Sequence, residues 1–145
     1  MQYLSTLFLL ALLSTGCGYI PFSSSELDGV VTPIPQSWSA VAEADIIQLE
    51  TRPEDPYSVN LWVIEMDSNL YVFAGDNRTQ WVENIAANTN VRLGHADKIY
   101  ELAATQVSDE TQFNAFAREW ETKYGNLPRN MNVNEVYLYR LTQRD

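Results

Sequence analysis

Apolar and polar positions alternate with period two over long parts of the chain. Ile47, Leu49 and Thr51 alternate with Ile46, Gln48 and Glu50, and in SVNLWVIEM Val59, Leu61 and Val63 alternate with Trp62, Ile64 and Met66. That pattern, rich in β-branched and aromatic residues, predicts two strands. Asp67, Ser68 and Asn69 supply a turn, and LYVFAG returns as the antiparallel partner. VRL and KIYELAATQV form a second pair across GHAD, where Gly94 and Asp97 suit a reversal. EVYLYRLTQ has apolar residues on both faces, which predicts a strand that is central or covered by a helix.

Two stretches switch to helical period. The first runs from about Thr79 to Asn88, with Trp81, Val82, Ile85 and Ala86 on one side. The second starts after Ser108 or Asp109, repeats Phe113, Phe116, Trp120 and Tyr124, and ends at Gly125. Its aromatic stripe reads as core, and Glu119, Glu121 and Lys123 mark a solvated face. Pro33 and Pro35 in GVVTPIPQSW favour an extended, edge-like path leading to Trp38, an anchor for one end of the core. The predicted fold is mainly β with α+β character: six or more antiparallel strands in a closed or nearly closed barrel, with two helices packed on it.

The N-terminus changes the picture of where this barrel works. Residues 1–16 carry no charge, and their apolar run from Leu7 to Leu13 is too short to span a bilayer, so they read as a signal peptide. LLSTGC resembles a bacterial lipoprotein signal, in which Cys17 becomes the acylated N-terminus. Ser14 and a start without Lys or Arg depart from the usual pattern. Several acyl chains, at about 0.8 kcal/mol per buried methylene, give a stable anchor where one is marginal. Gly18 lacks the Asp associated with inner-membrane retention, which by analogy points to the outer membrane, facing the periplasm. GYIPFSSSEL then reads as a tether, so the expected division is a signal peptide at 1–16, lipidated Cys17 and tether at 17–28, and the barrel domain at 29–145.

Cys17 is the single cysteine, so the domain folds without an internal disulfide. All charges lie after Gly16, and the net charge of -10 repels phosphate backbones, which excludes nucleic acid as an expected partner. His95 has no second His or Cys beside it in the sequence, so no metal site is expected. No nucleophile motif accompanies it either.

The order of elements from Ile46 to Tyr124 resembles the split β-barrel of the pyridoxamine-phosphate oxidase type, in its flavin- and deazaflavin-dependent nitroreductase-like branch. The most specific part is Trp81, Asn84, Ala87 and Asn88 leading into Val91, Arg92 and Leu93. The resemblance implies a groove, often at a homodimer interface, that holds the ring of FMN or a deazaflavin against barrel strands. Backbone amides and basic side chains there receive the phosphate. In that branch a Gly-Arg-x-Ser-Gly loop follows the strand that ends in Thr. Here RPEDPYSV follows Thr51: Arg52 remains, but Pro53 and Pro56 remove amide donors, and Glu54 and Asp55 add negative charge. At an effective dielectric of about 20, one carboxylate about 4 Å from a phosphate charge costs roughly 4 kcal/mol.

The candidate site residues each carry two readings. Trp81 is a core anchor or a wall for a ring, and Asn84 donates to a ligand or pins a strand carbonyl. Arg78 assists the helix N-terminus in holding an anion, or is a surface arginine. Tyr57, Ser58 and Asn60 offer a phenol, a hydroxyl and an amide near Trp62, the mixture that small-molecule pockets use, or serve the strand entrance. Three functions compete: a non-catalytic small-molecule-binding or structural module, a flavin-type oxidoreductase acting on a small aromatic or quinone-like substrate, and a lipoprotein that recruits an envelope partner.

Overall fold

The computed structural model describes residues 25–145; the expected signal peptide at 1–16 and the expected anchor at Cys17 lie outside the described residues. The strands are β1 (Val30–Val31), β2 (Ile46–Thr51), β3 (Tyr57–Met66), β4 (Asn69–Phe73), β5 (Asn90–His95), β6 (Lys98–Gln106) and β7 (Leu138–Gln143). The helices are α1 (Ser39–Ala42), α2 (Gln80–Ala87) and α3 (Glu110–Tyr124). The sheet runs β1-β6-β5-β2-β3-β4-β7, and β7 pairs back onto β6. This closes an antiparallel barrel of every strand except β1, which is added in parallel to the outside of β6. Closure removes the free edges that an open sheet of this size would expose.

Alternation sorts the side chains as expected. Leu49, Val63, Leu70, Val72, Leu93, Leu102 and Leu141 fill the barrel, and α2 adds Trp81, Val82 and Ile85 to the same cluster. The opposite faces of β3, β4 and β7 turn Ile64, Tyr71 and Leu138 outward, where Phe113, Phe116 and Trp120 of α3 cover them. The final strand is therefore apolar on both faces because a helix lies on one of them. Asp109 caps α3 by accepting from the Gln112 amide at 2.7 Å.

Both tight hairpins use left-handed residues at their two central positions, Asp67 and Ser68 in one and Ala96 and Asp97 in the other. Gly94, expected in the second turn, is instead inside β5. The extended, edge-like path expected of GVVTPIPQSW is present: Val30–Val31 forms the added strand β1, and Pro33 and Pro35 follow it. One element differs from expectation, α1, a third helix of a single turn. Trp38 begins that turn and meets Tyr100 edge-on at 5.0 Å. The chain also docks on the barrel before Gly29: Leu27 is buried and its amide donates to Glu50 at 2.7 Å.

Candidate functional site

The reversal after Thr51 builds its geometry from its own residues. Arg52 adopts a left-handed conformation, with φ 58°. Its Nε donates to the Asp55 carbonyl at 2.6 Å, its terminal nitrogen meets the Asp55 carboxylate at 3.1 Å, and its guanidinium lies 5.9 Å from the centre of the Tyr57 ring. The cation is thus folded back onto the loop. An exposed pair of this kind is worth about 0–1 kcal/mol.

Behind the reversal runs a chain of hydrogen bonds. Gln80 Nε2 donates to Asn84 Oδ1 at 2.9 Å, Asn84 Nδ2 donates to Thr51 Oγ1 at 3.0 Å, and Thr51 Oγ1 donates to the Tyr57 carbonyl at 3.4 Å. Asn84 is 6% exposed and both ends of its amide are engaged. It ties α2 to the ends of β2 and β3. Trp81, 3% exposed, inserts into the barrel and meets Tyr139 edge-on at 5.7 Å. Arg78 sits just before α2 and grips Glu83 with two nitrogens, the longer contact being 3.2 Å. That hydrogen bond and charge raise the Arg78 pKa further above its ordinary value.

Ser58 and Asn60 lie on the outer face of β3. Ser58 is buried because its hydroxyl donates to the Ser25 carbonyl at 2.5 Å, and Asn60 is half-buried opposite Gln48. The seven predicted residues therefore divide among the loop, the barrel interior and an outer face. Clefts of about 450, 240, 250 and 130 Å³ mark the described surface, and none of the seven lines any of them.

The cleft of about 250 Å³ has walls suited to a ring. Trp62, Phe73 and Trp120 line it, with Gly75, Asp76, Asn77 and Arg129 at its margin. Trp62 is 45% exposed, stacks on Tyr124 at 4.4 Å and reaches Trp120 at 5.2 Å. Arg129 and Asp76 face each other across the margin at 3.4 Å. Sequence reasoning named Trp62 only beside Tyr57, Ser58 and Asn60 and missed its grouping with Phe73 and Trp120, because it read the α3 stripe as core throughout. Phe113 and Phe116 are fully buried, while Trp120 also borders open space. The signal available was Trp62, a large aromatic on the strand face opposite the barrel interior.

Lys123 corrects another expectation. It does not stand on a solvated face: its ammonium donates to the carbonyls of Ala42, Ala44 and Val63 at 2.7, 2.6 and 2.8 Å. Burial lowers its pKa, and the charge of Asp45 opposes that shift. Glu50 and Arg92 form a second hidden pair, joined in bidentate fashion at 2.7 and 2.8 Å. Among the described residues no group of three His, Cys, Asp or Glu is placed to hold a metal ion.

No family model and no curated protein matches the chain. Solved structures do. A candidate pyridoxamine 5'-phosphate oxidase from Listeria innocua is 12% identical, with a TM-score of 0.57 over 74% of this chain and 90% of that one. An FAD-binding protein from Mesorhizobium loti is 15% identical, with a TM-score of 0.53 over 74% and 84%. The heme storage protein HutZ from Vibrio cholerae is 11% identical, with a TM-score of 0.59 over 74% and 87%. At such identities the likeness speaks for the fold alone, and that fold is the split β-barrel of the pyridoxamine-phosphate oxidase type.

Proposed function

We propose that this protein is a lipid-anchored component of the bacterial cell envelope, held through Cys17 at the outer membrane, facing the periplasm. Its split barrel serves as a non-catalytic small-molecule-binding or structural module. The observation that carries the second half of this reading is the state of the two candidate phosphate cations. Arg52 is closed onto Asp55 and Arg78 onto Glu83. A flavin phosphate would have to break those pairs and approach a loop that lacks the amides of Pro53 and Pro56 and carries the Glu54 carboxylate. The residues present do not fit a phosphorylated flavin held in that way.

The cleft between Trp62, Phe73 and Trp120 supports small-molecule binding, since an exposed indole beside two more rings offers stacking area with little conformational cost. The opposed charges of Arg129 and Asp76 favour an uncharged, planar guest. Absorbance of the purified protein, followed by titration with FMN and riboflavin while tryptophan emission is read, tests this reading. The expected result is a colourless protein that binds FMN no better than riboflavin, with any response lost in Trp62→Ala. A yellow preparation, or FMN binding that disappears in Arg78→Ala, would overturn this reading in favour of a flavin-type oxidoreductase. Metabolic labelling with a fatty acid, with Cys17→Ser as control, tests the anchor, and an unlabelled wild-type chain rejects it.

A further inference from the structure

The cleft beside Trp62 pairs an aromatic wall with a rim of a different character. Tyr124 backs one face of the indole, its ring nearly parallel at 4.4 Å and 14°. The Tyr124 hydroxyl is itself fixed, donating to the Asp45 carbonyl at 2.9 Å and accepting from the Val63 amide at 3.1 Å. Trp62 is thus braced from behind, and its remaining surface, at 45% exposure, is a rigid platform. The rim comes from the β4–α2 and α3–β7 connections, joined by Arg129 and Asp76 at 3.4 Å. It carries Asp76, Asn77, Asn126 and Arg129, each a planar group with at least two polar atoms to offer. Asn77 and Asn126 are exposed, and among the described residues their side-chain amides bond to no other group of the protein.

We propose that this cleft is a saccharide site that takes one neutral pyranose ring, with Trp62 as the stacking platform and Asn77 and Asn126 as hydrogen-bonding partners of its hydroxyls. The inference rests on the reading above that the cleft binds an uncharged guest, and it narrows the class of that guest. A wholly apolar ring would stack on Trp62 but strip water from the rim amides without replacing it, which costs affinity. A pyranose chair presents a flat face of C–H groups to the indole and a belt of hydroxyls at its edge. Each hydroxyl both donates and accepts, so neighbouring pairs replace the water on the two-pronged rim groups. The cleft of about 250 Å³ is smaller than the usual pocket for a drug-sized ligand, which suits a single ring. Acidic sugars are disfavoured, because Asp76 and Arg129 neutralise each other within a chain of net charge -10.

The test titrates the full chain, purified in a zwitterionic detergent that carries no sugar, with methyl glucoside, methyl N-acetylglucosaminide, short oligomers of both, glucuronate and menadione. Heteronuclear NMR follows the Trp62 indole resonance, identified by its loss in Trp62→Ala. The expected result is a saturable shift with a neutral pyranoside at millimolar affinity, weaker with glucuronate. Asn77→Ala and Asn126→Ala should each weaken it about two- to ten-fold, at an unchanged melting temperature because neither amide holds the fold. Tighter binding of an oligomer than of its monomer assigns the ring to a glycan chain, and equal binding assigns it to a free sugar. Menadione binding that needs Trp62, with every pyranoside inert, overturns the proposal and leaves the uncharged-guest reading standing; failure of both probes removes the two together. Pyranoside binding undiminished when Asn77 and Asn126 are both replaced by Ala, or glucuronate binding as tight as methyl glucoside, also overturns the proposal.

Discussion

Arg92→Met removes the cation from the most hidden ion pair of the barrel. Glu50 and Arg92 are directly opposed on β2 and β5, and their side chains are 4% and 18% exposed. The guanidinium gives Glu50 two hydrogen bonds, at 2.7 and 2.8 Å, and gives Glu26 a third. With Met in its place, the Glu50 carboxylate keeps only the Leu27 amide among the contacts described. Breaking one side of a buried pair costs about 3–5 kcal/mol, and the partial exposure of Arg92 puts this case near the lower end. Glu50→Gln is the milder change, about 1–2 kcal/mol, because the charge it strands is the more exposed one and an amide oxygen still accepts from Leu27. Urea unfolding at neutral pH measures both variants. The reasoning requires Arg92→Met to be the worse, with a loss of about 3 kcal/mol and a melting temperature lower by roughly 10 °C. If the two variants lose equally, or Arg92→Met loses under about 1 kcal/mol, the pair is solvated and the geometric argument fails.

Lys123→Met keeps the aliphatic stem and removes donors from three carbonyls, of which Val63 alone retains the Tyr124 hydroxyl. A loss of about 2 kcal/mol in chemical denaturation is expected, and a neutral result would show that water replaces the ammonium. Ala96→Gly should stabilise by about 0.5–1 kcal/mol, since Ala96 holds φ 48° in its turn, and a lowered melting temperature would contradict this. Tyr139 is raised above its ordinary pKa chiefly by burial, with Tyr137 adding to the shift and Arg78 opposing it. The folded state therefore holds that proton more tightly than the unfolded chain, whose tyrosines titrate near about 10. Its contribution is complete below that value and is lost as pH climbs through the folded pKa. Wild type should lose stability relative to Tyr139→Phe across that alkaline window, and parallel curves would refute it.

What the sequence disclosed depended on whether a contact leaves a periodic trace. Val59, Leu61 and Val63 announce one buried face, and Ile64 with Leu138 announce the other, so barrel and covering helix were both legible. Val30 and Val31 show no period because two residues cannot, and their strand rests on bonds to Asp97 and Ile99 far along the chain. Lys123 read as solvated because its acceptors are main-chain carbonyls, which no side chain advertises. Asn84 stayed undecided for a related reason: its partner Thr51 lies 33 positions away. Glu50 falls on the outward face of its strand, and alternation alone places such a residue in water. The Glu26–Leu27 segment, which sequence reading took for tether, is what covers it.

The distribution of cations bears most directly on function. Of the chain's nine Lys and Arg residues, six are held by partners, and Lys98, Arg118 and Arg140 stand outside this set. Arg52, Arg78, Arg92 and Arg129 are each ion-paired, and Lys123 is held by carbonyls. Arg144 donates to the Leu102 and Val91 carbonyls beside Glu101. An anionic ligand arriving at any of these must displace a partner that is already in place, and it does so against a net charge of -10. An exposed pair yields for about 0–1 kcal/mol, but the freed carboxylate remains nearby and opposes the newcomer. A neutral ring meeting Trp62 displaces only water. On the reading proposed above, side chains that satisfy one another favour guests without charge.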